Sequence, residues 1–194
     1  MMATHQDEGP PGCGSGEWSD GRNPWTIEPI PRGLIDNPLD FIFAEHHRQR
    51  EAAMILLKVA DGEFDANGVR ALIHFLEYDF ALHVGDEEVV LFPSLRAHCQ
   101  PDYNVDRVIE RLMEEHREDE SIGDEVVLIL RQRLHGYNLS PAQVRKLRLF
   151  SDHIRQHLAL ENGILLPIAR VRLDDGALRL ISDSLKQRRM KTRR

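Results

Sequence analysis

One chemical pattern is written twice in this chain. His83 is followed by Glu87, Leu91, Phe92 and Pro93, and His157 by Glu161, Leu165, Leu166 and Pro167. Each copy sets a carboxylate four residues after the histidine, an apolar pair at eight and nine, and proline at ten. On a helix, positions i and i+4 share a face, so each His-x3-Glu aims a nitrogen and a carboxylate at one point. A second histidine, preceded by glutamate, stands upstream of each copy: Glu45-His46 and Glu115-His116. Four imidazoles and two carboxylates in matching halves suit a pair of metal ions.

The apolar periodicity says what carries them. Asn37-Pro38 supplies an N-cap acceptor and a proline at N1, opening a helix that ends at Asp61-Gly62. Its apolar face reads Leu39, Ile42, Phe43, His46, Ala53, Met54 and Leu57. A second helix starts near Asp65 or Asn67 and carries Leu72, Leu76, Phe80, His83, Glu87 and Leu91 until Pro93 kinks or ends it. The third, with Val105, Ile109, Leu112, Met113, His116, Val127 and Leu130, ends near His135-Gly136. Ser140-Pro141 opens the fourth: Leu147, Phe150, Ile154, His157, Glu161, Leu165. No strand pattern is present, and the connectors are short. The reading is all-α: an antiparallel up-down-up-down four-helix bundle over residues 37–172. A disordered arm rich in Gly and Pro precedes it (1–36), with Trp18, Trp25 and Ile30 able to tack part of it down. A short basic C-terminal helix or tail follows (173–194).

Composition removes several functional classes. Lys+Arg 25 against Asp+Glu 32 leaves a net charge of −7, which argues against nucleic acid as a partner. Cys13 and Cys99 make no disulfide framework, and neither C-x2-C nor H-E-x-x-H occurs. No apolar run is long enough to span a membrane, and no leader pattern opens the chain, so a cytoplasmic location is expected.

A lone His-x3-Glu is more often an exposed ion pair than a ligand set. Here both pairs lie in the middle of the core stripe, where an ionised carboxylate is costly unless paired or metal-bound. His46 and His116 interrupt apolar faces in the same way. The metal ligands expected are therefore His46, His83, Glu87, His116, His157 and Glu161. Glu120, four residues after His116, has two readings: part of a solvated acidic face with Arg117, Glu118 and Asp119, or a seventh ligand. His47, His74, His98, His135 and His5 fall outside the site, while His153 and Glu88 could touch its outer ring. Imidazole and carboxylate without thiolate suit iron, with manganese or zinc possible.

From about residue 37 to 172 the chain resembles the hemerythrin-like family, in its branch with an HHE cation-binding domain. Glu45-His46, His83-x3-Glu87, Glu115-His116 and His157-x3-Glu161 carry the resemblance in kind and order. It implies a bundle enclosing two irons bridged by Glu87 and Glu161, with His46 and His83 on one ion and His116 and His157 on the other. The oxygen-carrying members have His-x3-His on the third helix, where this chain has His116 and Glu120. They have His-x4-Asp on the fourth, where it has Asn162. The departure points away from reversible oxygen carriage.

Two functional classes follow. One is a non-haem di-iron protein that binds, senses or reduces a small oxidant (dioxygen, nitric oxide or peroxide), or senses iron. The other is an interaction module working through the basic stretch at 186–194, read either as a phosphate contact or as a solvated helix end. Iron delivery to other proteins is a related third possibility. No protein partner is specified.

Overall fold

The computed structural model describes residues 23–100 and 104–192, and every regular element among them is helical. Helix α1 (Pro38–Ala60) starts with Pro38 at N1, although Asn37 makes no side-chain cap bond. It ends at Asp61, with Gly62 in the left-handed region at φ 91°. The side chain of Asp65 caps α2 (Ala66–His74) by accepting from the Gly68 amide at 2.6 Å. Ser140 and Gln143 close a capping box at α6 (Pro141–Leu160).

The expected second helix does not end at Pro93. From Ala66 to His98 the chain stays helical as α2, a π-turn (Phe75–Phe80), α3 (Ala81–Asp86), a π-turn (Glu87–Leu91) and α4 (Phe92–His98). Pro93 has no amide to offer four residues back, and the helix absorbs this by widening: the Phe92 amide reaches the Glu87 carbonyl, five back. The fourth helix repeats this. After α6 comes a π-turn (Glu161–Leu165), then α7 (Leu166–Arg172), and the Leu166 amide reaches the Glu161 carbonyl. The proline ten residues after each histidine thus marks a wide turn that opens on the carboxylate. Helix α5 (Val105–Leu134) and α8 (Asp175–Thr192) complete the chain.

Helix α1 packs on α6, α5 on α6 and α2, and α8 on α1 and on the Glu87–Leu91 turn. The apolar interior is divided. One cluster holds Leu56, Leu72, Val126, Leu130, Phe150 and Ile154; the other holds Ile42, Leu91, Phe92, Ile109, Leu112 and Leu165, with Ile181 and Leu185 of α8. Between them, along all four long helical stretches, lies a buried polar layer.

One expectation is corrected, and the expected docking of Trp25 and Ile30 is seen. Phe43 and Met54 are exposed, because the buried face of α1 runs through Ile42, His46, Gln49, Ala53, Leu56 and Val59. Part of the arm is docked: Trp25 and Ile27 pack on the first cluster, Ile30 on the second, and residues Arg32–Asp36 form a 3-10 turn. A Cβ on Gly68 would come within 2.7 Å of Trp25, so that helix lets the indole in through a glycine. Trp18, Cys13 and His5 lie outside the described residues.

Candidate metal centre

The polar layer is built by one histidine from each long helical stretch and a carboxylate from two of them. His46 comes from α1, His83 from α3, His116 from α5 and His157 from α6, while Glu87 and Glu161 open the π-turns. All six are buried, both glutamates completely. Their donor atoms fall into two groups, each within 4.8 Å: His46, His83, Glu87 and Glu161; and Glu87, His116, His157 and Glu161.

The glutamates belong to both groups, and their oxygens divide accordingly. Glu87 Oε1 lies 3.5 Å from His46 Nε2 and 3.4 Å from His83 Nε2, while its Oε2 lies 3.4 Å from His116 Nε2. Glu161 turns Oε2 to His46 Nε2 at 3.3 Å and Oε1 to His157 Nε2 at 3.2 Å. Both carboxylates thus turn one oxygen to each histidine pair.

Six of these atoms have no hydrogen-bond partner among the described residues, whereas His116 Nε2 and His157 Nε2 lie 3.2 Å from one another. His46 Nε2, His83 Nε2 and all four oxygens of Glu87 and Glu161 are buried without a hydrogen bond. Orphaned buried polar atoms are costly, and so many converging on one point suit an occupant. The spacing fits a cation: two donors each ~2.1 Å from a shared ion and about 100° apart would lie about 3.2 Å from one another. The donors are imidazole nitrogen and carboxylate oxygen, the set that suits iron, manganese or zinc.

Outside the donors, every imidazole is held by its other nitrogen. His83 Nδ1 donates to Glu45 at 3.0 Å and His157 Nδ1 to Glu115 at 3.0 Å. His116 Nδ1 donates to Glu88 at 2.9 Å, and His46 Nδ1 to the Asn162 side-chain oxygen at 2.9 Å. The pattern crosses between halves. The glutamate before one histidine holds the next helix's histidine, and the residue after each shared glutamate (Glu87, Glu161) holds a histidine of the opposite half. The Asn162 amide nitrogen donates to the Leu158 carbonyl at 2.7 Å, which fixes its oxygen toward His46. A proton fixed on Nδ1 leaves the Nε2 lone pair facing the centre.

The electrostatics follow from four buried bases around two buried acids. Burial works against a cationic His83, but the Glu87 and Glu45 carboxylates outweigh it and lift its pKa to about 9. Burial likewise opposes the His157 cation, and Glu161 and Glu115 lift it to about 11. Burial would push Glu87 up, yet His83 and the neighbouring imidazoles hold it well below the carboxylate range. The hydrogen bond from His157 takes Glu115 down to about 2. Without a cation the layer is neutralised by protons.

The structure brings six of the seven expected ligands together. Glu120 is not among them: its side chain is exposed, in the wall of a cavity of about 620 Å³ between the second helical stretch and α5. Asp119, expected on the solvated face, is the buried one, 3.3 Å from His153 Nδ1. Glu88 does touch the outer ring, through His116. His47 and His74 are exposed and apart from the site. Two residues of the basic stretch do not face solvent freely. Arg188 and Arg189 turn inward onto Asp86 and Glu45.

The chain matches the family model described as Hemerythrin HHE cation binding domain over residues 37–169. It belongs to the hemerythrin family. A search of curated proteins gave no match, and neither did a search of solved structures. The hemerythrin match spans every residue of the two donor groups and ends before α8 begins. No helix among the described residues is long and apolar enough to cross a membrane.

Proposed function

We propose that this chain is a non-haem di-iron protein, an antiparallel four-helix bundle that binds, senses or reduces a small oxidant such as dioxygen, nitric oxide or peroxide. The observation that carries this reading is the division of the Glu87 and Glu161 oxygens between two histidine pairs. One ion would rest on His46 and His83, a second on His116 and His157, and both glutamates would span them. When bound, iron would supply redox chemistry and positions open to a small ligand.

The chain's own residues do the rest. Glu45, Glu88, Glu115 and Asn162 fix the ring orientations before any ion arrives, which lowers the cost of assembling the site. The two apolar clusters keep bulk water from both ends of the layer. The cavity beside α5 reaches His116 between apolar side chains (Leu76, Phe80, Val127) and charged ones (Glu88, Arg117, Asp119), a mixed approach wide enough for a small molecule. With Glu120 exposed in its wall and no imidazole in that place, the second ion would have fewer protein donors than an oxygen carrier's, which supports reaction or sensing over carriage.

The test is metal analysis of protein loaded anaerobically with ferrous iron, followed by visible spectra before and after oxidant. About two irons per chain and an oxidant-dependent visible band are expected, with both diminished in Glu87→Gln. Iron staying near zero across neutral pH would overturn the proposal.

A further inference from the structure

Helix α8 lies beyond the part of the chain that matches the family, yet it reaches the buried layer. Arg189 Nη2 donates to Glu45 Oε1 at 2.7 Å, and the other oxygen of Glu45 accepts from His83 Nδ1 at 3.0 Å. Arg189 Nη1 also meets Asp86 Oδ2 at 2.7 Å, and Arg188 Nε donates to Asp86 Oδ1 at 2.6 Å. Asp86 is fully buried and immediately precedes Glu87. A Cβ on Gly85 would collide with the Arg188 guanidinium, so glycine keeps that path open. The Arg189 guanidinium lies 4.4 Å from the centre of the Phe41 ring. Ile181 and Leu185 seat the same helix in the second apolar cluster.

The other side of the centre is supported differently. Glu115, which holds His157, is paired with Arg111 from one turn earlier on its own helix, and that side chain is 63% exposed. A local surface pair of this kind contributes little. Removing a guanidinium from two buried carboxylates is a different matter, because it leaves their charge uncompensated.

We propose that α8 is a working part of the metal centre. Arg189 is a positioning residue that holds Glu45, and through it the His83 ring, so filling of the His46/His83 position depends on α8 and filling of the His116/His157 position does not. This rests on the two-ion reading above.

The experiment titrates the metal-free full-length chain with cobalt(II) against a competing chelator. Visible absorption and bound metal are followed for the wild type, Arg189→Gln, Arg189→Lys and Lys186→Gln. Lys186 sits on the same helix but pairs with Asp36 at the surface. The wild type should take up two equivalents. Arg189→Gln should weaken one of them about 10–100-fold and leave the other in place. Arg189→Lys should recover part of the loss, since it restores charge without the two-pronged geometry. Lys186→Gln should bind like the wild type. Circular dichroism and melting of the metal-free proteins check folding. If Arg189→Gln does not fold, the same split is read on Arg189→Lys. Equal weakening of both equivalents, or no weakening of either, overturns the assignment. A wild type that takes up no cobalt overturns the two-ion reading itself, an outcome visible before any variant is made.

Discussion

Metal uptake should expel protons. His83 and His157, at about 9 and about 11, are both protonated at pH 7 in the metal-free protein. Each must lose that proton to offer Nε2 to an ion. At pH 7 the cost is about 3 kcal/mol for His83 and about 5 kcal/mol for His157, from the 1.36 kcal/mol carried by each pH unit. About two protons should therefore leave as two ions bind. The overall two-ion constant should rise roughly hundredfold per pH unit from 7 to near 9, then roughly tenfold per unit once His83 has lost its proton. The metal-free fold runs the opposite way. Both pKa values are raised, so their stabilising contribution is complete below about 6.5 and is lost as pH climbs through about 9 for His83 and about 11 for His157. Anaerobic calorimetry with ferrous iron, in two non-coordinating buffers of different ionisation enthalpy, counts the protons directly. Equal heats in the two buffers, or affinity that does not change between pH 6 and 8, would refute the reasoning.

Three further outcomes are expected. Glu87→Gln and Glu161→Gln should each lower uptake of both ions, while Glu120→Gln should leave iron content unchanged; equal losses in all three, measured by metal analysis, would mean general destabilisation instead. Phe150→Ala should cost about 3–5 kcal/mol in denaturant unfolding, because its ring is fully buried in the first cluster. Ser140→Ala should cost about 1 kcal/mol in the same assay by opening the capping box of α6.

How far the sequence could be read depended on how local each feature is. The His83/Glu87 and His157/Glu161 pairs need only the helical repeat to share a face, and the fourth helix's stripe from Leu147 to Leu165 is buried throughout. The ring around the ligands was harder. Glu45 meets His83 and Arg189 meets Glu45 across 38 and 144 residues, and no periodicity reports such distances. Glu120 and Asp119 differ by one step of helix. Val105, Ile109, Leu112, His116, Asp119, Val126 and Leu130 are buried at spacings of three, four and seven, so the stair already contained Asp119 and excluded Glu120. The charged run around it hid that signal. Pro93 and Pro167 were readable as disturbances, but not as widened turns that let the helix continue.

The polar layer between the two apolar clusters bears on how the chain comes apart. Close-packed carbon does not run unbroken from one end of the molecule to the other; imidazoles and carboxylates interrupt it. Without metal, the end built on Phe150 and Leu72 and the end capped by α8 are joined through that seam by protons and hydrogen bonds, so hydrogen exchange should resolve them as two opening units. Ions bound to all four helical stretches at the seam would fasten the halves into one cooperative body. Iron would then govern not only what the centre reacts with but whether the molecule yields in pieces or as a whole.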